Sequence, residues 1–359
     1  MINNIEYSDF SLKLHETALQ NDIPLDGAIA LTHHCNLNCR HCYIRDNSVK
    51  DELTSKEIFR IIDEITNAGC LYLLLTGGEP LLREDFSDIY TYARKKGLII
   101  TLFTNGTLIN ENTALLLSKH MPFSVEITLY GATRETYESF TGIKGSYDSC
   151  INGIKLLLEH KIPLTLKTMV TTINKHETDE MKKFSESLGV KFRYGLTILP
   201  NISGSMSPYD VRISPDENID LDLTDKERSR EWSELYAKFN APASKEFLFN
   251  CGAGRNCFNI TSAGKLRICD MVPEPDYCLR NNNFIDGYRM FKSIRARKIK
   301  GVTKCAGCEH IIFCDSCPAI SMLEGNKDGE RPVSYHCEIA HKRAARIREE
   351  SFNAKEKTI

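Results

Sequence analysis

Between residues 27 and 199, six short apolar runs alternate with amphipathic stretches, and this repeat limits the possible folds more than any other feature of the chain. Strands are expected near 27–33, 71–76, 98–103, 123–129, 164–171 and 190–197, with helices between them. Alternation of this kind builds a parallel sheet. The first helix is well marked: Thr54 and Glu57 form a capping box, and Ile58, Ile61, Ile62 and Ile65 fall on one apolar stripe. Six units, against the eight of a closed TIM architecture, predict an α/β fold built as a partial (β/α)6 TIM-like barrel. Its open side would admit a bulky substrate.

Barrel enzymes build their sites beyond the carboxyl ends of the strands, and the candidate motifs of this chain fall there. Cys35, Cys39 and Cys42, in THHCNLNCRHCY, follow the first expected strand. Thr76-Gly77-Gly78-Glu79-Pro80 follows the second, Thr104-Asn105-Gly106 the third and Tyr130-Gly131 the fourth. Three thiolates so close together can wrap one iron–sulfur cluster and leave a fourth metal position without a protein ligand, open to substrate or cofactor. The alternative is a zinc knuckle or plain reduced thiols. Paired glycines let a ligand approach the main chain without a Cβ clash. TGGEP and TNG are also turn sequences, and only their order after the cysteine loop distinguishes them.

At 359 residues and 42% hydrophobic, the chain can bury a large core in two domains. A formal net charge of -2 predicts no nucleic-acid partner. Fourteen cysteines would suit a secreted disulfide scaffold, but MINNIEYSDF has no basic region followed by an apolar stretch. The thiols therefore point to metal binding in a reducing compartment, and the expected location is cytoplasmic. No apolar run reaches the roughly 18 to 20 residues that span a bilayer, so no membrane association is expected.

Residues 200–249 read as a linker followed by a helix, and a second cysteine array then opens. Cys251, Cys257, Cys269, Cys305, Cys308, Cys314, Cys317 and Cys337 make two sets of four, enough to saturate two four-iron clusters. Two zinc sites are the alternative. Cys70 and Cys150 fall at a helix end and within a helix, where cysteine is a small hydrophobe. Cys278 is expected in an exposed loop. The tail 343–359 mixes both charge signs and reads as a solvated helix.

The cysteine loop closely resembles that of radical S-adenosylmethionine (radical SAM) enzymes, in which the unliganded iron is chelated by SAM. The later array resembles the SPASM domain of radical SAM maturases: Cys251, Gly264, Cys269, the run Cys305 to Cys317, then the isolated Cys337. The resemblance covers most of residues 27–342 and implies five segments. These are an extension over 1–26, a radical SAM core over 27–199, the linker and helix over 200–249, a smaller cysteine-rich SPASM iron–sulfur domain over 250–342, and the tail.

It also implies three [4Fe-4S] clusters and bound SAM. Cys35, Cys39 and Cys42 would hold the SAM-binding cluster. One auxiliary cluster would take Cys251, Cys257, Cys269 and Cys317, the other Cys305, Cys308, Cys314 and Cys337. The final gap of the cysteine run is two residues where sulfatase-type maturases have three. His41 would lie near the adenine, Gly77 and Gly78 with nearby Glu79 at the SAM amino group, and Asn105 in the adjoining loop. Thr128 and Lys167 would reach the ribose or carboxylate. Tyr130 stands where many relatives have aspartate. Asp270 would be a general base beside a cluster, its pKa suited to taking a proton as an electron leaves through the metal.

The implied activity is reductive cleavage of SAM to a 5′-deoxyadenosyl radical that abstracts a substrate hydrogen, with flavodoxin or ferredoxin as reductant. The implied substrate is a ribosomally synthesised peptide or protein that is crosslinked, oxidised or epimerised. The short segment before the first strand is too small for a winged-helix peptide-recognition domain. That leaves leader binding by a separate protein, or a small substrate such as an aminoglycoside or other sugar. A non-catalytic iron–sulfur electron carrier is the reading from another class; it would have no need of GGEP or an open cluster.

Overall fold

Apolar residues at alternate positions of the strands set the architecture, because one side chain in two is buried beneath helices while the next faces the barrel interior. The computed structural model describes residues 6–44, 51–238, 246–249, 251–272, 274–300, 304–305, 307–315 and 317–356. Helix α1 (Tyr7–Gln20) leads into β1 (Asp26–Ala30), α2 (Ser55–Asn67), β2 (Tyr72–Thr76), α3 (Phe86–Lys95) and β3 (Ile99–Thr104). Then follow α4 (Glu111–Lys119), β4 (Ser124–Thr128), α5 (Arg134–Thr141), α6 (Ser146–Glu159), β5 (Leu164–Met169), α7 (Thr178–Ser187) and β6 (Lys191–Gly195). The remaining elements are α8 (Pro215–Thr224), α9 (Lys226–Lys238), β7 (Cys257–Ile260), β8 (Lys265–Arg267), β9 (Tyr277–Cys278), α10 (Phe284–Arg295), α11 (Pro318–Leu323) and α12 (Ser334–Glu356).

The six expected strands are present and parallel, in the order β6-β5-β4-β3-β2-β1. In β3, Ile100 and Leu102 are fully buried while Thr101 and Phe103 are half-buried toward the interior. Helix α2 begins at the expected box: the Thr54 hydroxyl accepts from the Glu57 amide at 3.3 Å, and the Glu57 carboxylate accepts from the Thr54 amide at 2.8 Å. Its four isoleucines are 0–1% exposed, each contributing about 1.5–3 kcal/mol of burial.

The sheet does not stop at β1. β7 pairs with β1 in parallel, Asp26 opposite Cys257, and β8 and β9 continue antiparallel to make nine strands. The main-chain groups of β1 on that side thus find partners in the cysteine-rich segment rather than in solvent. Gly27 is required there, since a Cβ would meet the Phe258 ring at 2.4 Å.

Three local expectations change. The segment after residue 200 contains two helices, α8 and α9, and Ser214 with Glu217 makes a second capping box. The tail is not solvated on every side: α12 runs from Ser334 through residue 343, and Ile339, Ala340, Ala344 and Ile347 pack against Ile219, Leu223 and Phe313, while Arg346, Arg348 and Glu349 are exposed. Arg343, only 2% exposed, pairs at 2.8 Å with fully buried Asp222. The apolar stripe between the charges decides the packing, while charge composition hides it. Cys278 lies in β9 and is half-buried, since it pairs with Lys265 of β8. Cys70 and Cys150 are buried. Among the described residues no helix is long and apolar enough to cross a membrane.

Candidate active site

The loop after β1 folds back over the carboxyl ends of the strands because the loop after β2 holds it there. The Gly78 amide donates to Thr32 O at 2.7 Å and the Glu79 amide to His34 O at 2.8 Å. A Cβ on Gly77 would lie 2.3 Å from Thr32 O, and one on Gly78 2.3 Å from His34 O. The two glycines are therefore demanded by the contact of loop on loop. His33 Nδ1 meets Ser262 Oγ at 2.6 Å, tying the same loop to the turn between β7 and β8.

Beneath this contact lies a cavity of about 400 Å³ lined by Cys35, Cys39, Cys42, His41, Gly77, Gly78, Asn105, Thr128 and Lys167. Sequence-distant candidates thus meet at one place. Burial pushes Cys39 up to about 12, with the neighbouring thiols adding to the effect, and raises Cys35 as well. Such thiols are held ionised only by a strong cation, which an iron–sulfur cluster supplies. The donor set and the cavity fit that group.

Asn105 Nδ2 donates to Asn36 Oδ1 at 2.9 Å and stands 3.8 Å from Cys35 Sγ, so it braces the cysteine loop. Glu79 lies behind the cavity wall. Fully buried, it accepts from Thr104 Oγ1 and the Asn105 amide, each at 2.7 Å, and from the Leu81 amide at 3.1 Å. Burial pushes its carboxyl up to about 7.

Half-buried His41 packs against Phe140 and Tyr130, with ring centroids 4.9 and 5.5 Å away. Burial pulls it down to about 4, so it is neutral near pH 7, and its buried Nδ1 has no hydrogen-bond partner. Tyr130 stacks on Phe140 at 4.5 Å and completes an aromatic wall. Thr128 and Lys167 are paired across β4 and β5. Lys167 is not a solvated lysine: its Nζ sits 3.4 Å from Glu126 Oε2 and 2.7 Å from the centroid of Phe103, and burial pulls it down to about 7. Glu126 also pairs with Arg193 of β6. The sequence signal for Glu126 is an acid set between the apolar Val125 and Ile127 of β4.

Asp270 accepts from the Tyr43 hydroxyl at 3.0 Å. Tyr43 lines the cavity, and its role was missed although it directly follows Cys42. Burial raises Cys269 to about 11, with Cys317, Asp270 and Cys251 close enough to add to it. Cys257 is raised by burial and by Cys251. Cys305, Cys308, Cys314 and Cys337 surround a second cavity of about 570 Å³. Among the described residues, no three His, Cys, Asp or Glu side chains converge on a single-ion position.

Residues 29–188 match the family described as the Radical SAM superfamily. The chain is 27% identical over 316 residues to an AdoMet-dependent heme synthase of Methanosarcina barkeri, covering 80% of this chain and 89% of that one. It is 26% identical over 346 residues to the mycofactocin maturase MftC of Mycobacterium tuberculosis, covering 91% and 86%. In fold it resembles Streptococcus suis SuiB, solved bound to its precursor peptide SuiA, with a TM-score of 0.70, 18% identity and coverage of 94% and 82%.

Proposed function

Because residues 29–188 form a radical SAM domain, we propose that this enzyme binds SAM over a cluster held by Cys35, Cys39 and Cys42 and modifies a ribosomally made peptide or protein. The observation that carries the reading is the meeting of three thiols, two glycines and the polar strand-end residues on one cavity. When bound, cluster and SAM supply a 5′-deoxyadenosyl radical that takes a hydrogen atom from the substrate, and the product is a crosslink, an oxidised side chain or an epimer.

The chain's own residues orient that chemistry. Gly77 and Gly78 shape the wall facing the SAM amino group, and Glu79 locks the loops of β2 and β3 together from behind. Lys167, whose charge burial disfavours and Glu126 supports, would face the SAM carboxylate, and Thr128 would offer a hydroxyl to the ribose. His41, neutral and with a free Nδ1, sits with Tyr130 on the adenine side. Asp270, held by Tyr43, takes the substrate proton. Cys251, Cys257, Cys269 and Cys317 hold one auxiliary four-iron cluster, and Cys305, Cys308, Cys314 and Cys337 another. The reductant is a flavodoxin or ferredoxin.

Likeness to a protein named as a heme synthase over 80% of this chain favours a second reading, a small tetrapyrrole substrate in place of a peptide. Anaerobic turnover with SAM and a neighbouring-gene peptide, or with an iron porphyrin, separates the two by product mass. Iron-loaded protein should release 5′-deoxyadenosine under dithionite, and the variant with Cys35, Cys39 and Cys42 changed to alanine should release none. Equal release by that variant would refute the site.

A further inference from the structure

The active-site cavity has a neighbour. A second one, of about 490 Å³, lies toward the amino ends of the strands, where Tyr7 and His15 of α1 line it together with Asp26 and Tyr72. Phe103 lines both cavities. Lys167 lines the upper one, and Glu126 and Arg193 line the lower. The boundary between the two is therefore an aromatic ring flanked by three charges.

Strand register shows why those charges depend on one another. Lys167 of β5 stands directly opposite Arg193 of β6 on one side and Thr128 of β4 on the other. Two cations at adjacent positions of one sheet face repel. Glu126 comes two residues before Thr128 and so shares its face of β4. Its carboxylate is divided between the cations: Oε1 pairs with Arg193, and Oε2 lies 3.4 Å from Lys167 Nζ. Glu126 is 8% exposed, and Oε2 accepts no hydrogen bond.

The two cations do not need this acid equally. The Arg193 side chain is 62% exposed and is solvated by water, whereas that of Lys167 is 23% exposed and has its Nζ 2.7 Å from the Phe103 centroid. Burial works against the Lys167 charge, Glu126 supports it and Arg193 opposes it; β3 contributes only the uncharged ring. Without Glu126 the ammonium would keep a repelling neighbour and lose its counter-charge.

We infer that Glu126 is a positioning residue for SAM binding, acting through Lys167: it keeps a cation on the floor of the upper cavity for the SAM carboxylate, and Arg193 competes for the same acid. The inference rests on the SAM site proposed above and adds the pair of residues behind it. Neither Glu126 nor Arg193 lines the upper cavity, so both act at one remove.

The test measures SAM affinity of the full-length, iron-loaded protein by anaerobic calorimetry, beside that of decarboxylated S-adenosylmethionine. E126Q should bind SAM about tenfold more weakly and the decarboxylated compound as wild type does. Competitive acetylation with acetic anhydride, read by mass spectrometry at Lys167 across pH, follows the amine without SAM. Its midpoint should fall by about one unit in E126Q and rise in R193Q. K167M and E126Q/K167M should bind SAM equally, a comparison that holds even where E126Q alone fails to fold. Unchanged SAM affinity in E126Q, equal weakening of both compounds, a lowered midpoint in R193Q, or a further loss in the double variant over K167M would each overturn the role. Wild type with no affinity for SAM would sink the catalytic reading and this role with it, whereas SAM-binding wild type matched by E126Q would sink the role alone.

Discussion

The Tyr43 hydroxyl donates to Asp270 Oδ2 at 3.0 Å across 227 residues of sequence, so the loop carrying Cys42 and the segment carrying Cys269 meet at a phenol and a carboxylate. Tyr43 lines the cavity shared by Cys35, Cys39 and Cys42, and Asp270 stands beside Cys269. The pair joins the two cysteine regions, and Asp270 is the base proposed above.

Asp270→Asn should lower product formation about 100-fold or more, the usual scale for a lost general base, while SAM cleavage without substrate continues. Tyr43→Phe keeps the base and removes its orienting bond, so a smaller loss of about tenfold is expected. Rapid-quench assays that follow product and deoxyadenosine separately check both. Equal loss of both products in Asp270→Asn would place the residue outside the proton step.

Glu79 gives a pH signature. Burial lifts its carboxyl from 4.5 to about 7, so the folded chain holds a proton that the unfolded chain releases near pH 4.5. Stability from this group is complete below that value and is lost as pH rises through 7, a change of order 3 kcal/mol at most. Glu79→Gln should flatten the dependence of denaturation midpoint on pH between about 5 and 7.5. An identical slope in both proteins would show that Glu79 titrates normally.

Gly78→Ala places a methyl 2.3 Å from His34 O, which is main chain and has no way to swing aside. A destabilisation of about 1–3 kcal/mol is expected, together with reduced iron incorporation, because the displaced strand of loop carries Cys35. Denaturant titration and iron analysis measure the two. Full iron content and unchanged stability would contradict the loop-on-loop contact.

Arg343→Leu leaves buried Asp222 with only Arg228, bound at 2.6 Å. Stability should fall by about 3 kcal/mol, and Asp222→Asn in the same chain should restore part of it, since the remaining charge is then removed. Urea denaturation of the two variants gives the comparison. A neutral Arg343→Leu would make α12 a surface helix after all.

The alternating apolar runs and the Thr54 box determined the six parallel strands and the start of α2, because strand and cap propensities act over a few residues and are written locally. The spacing of Cys35, Cys39 and Cys42 likewise gathered three thiols in one short loop, since that needs only neighbours in sequence. Only the tertiary structure decided that β7 extends the sheet at β1, that Tyr43 reaches Asp270, that Glu126 holds Lys167, and that α12 buries Arg343 on Asp222. These contacts join residues far apart in the chain. Their energies come from burial and paired charges in three dimensions, and no local pattern in the sequence encodes which distant partner satisfies a given edge, phenol or carboxylate.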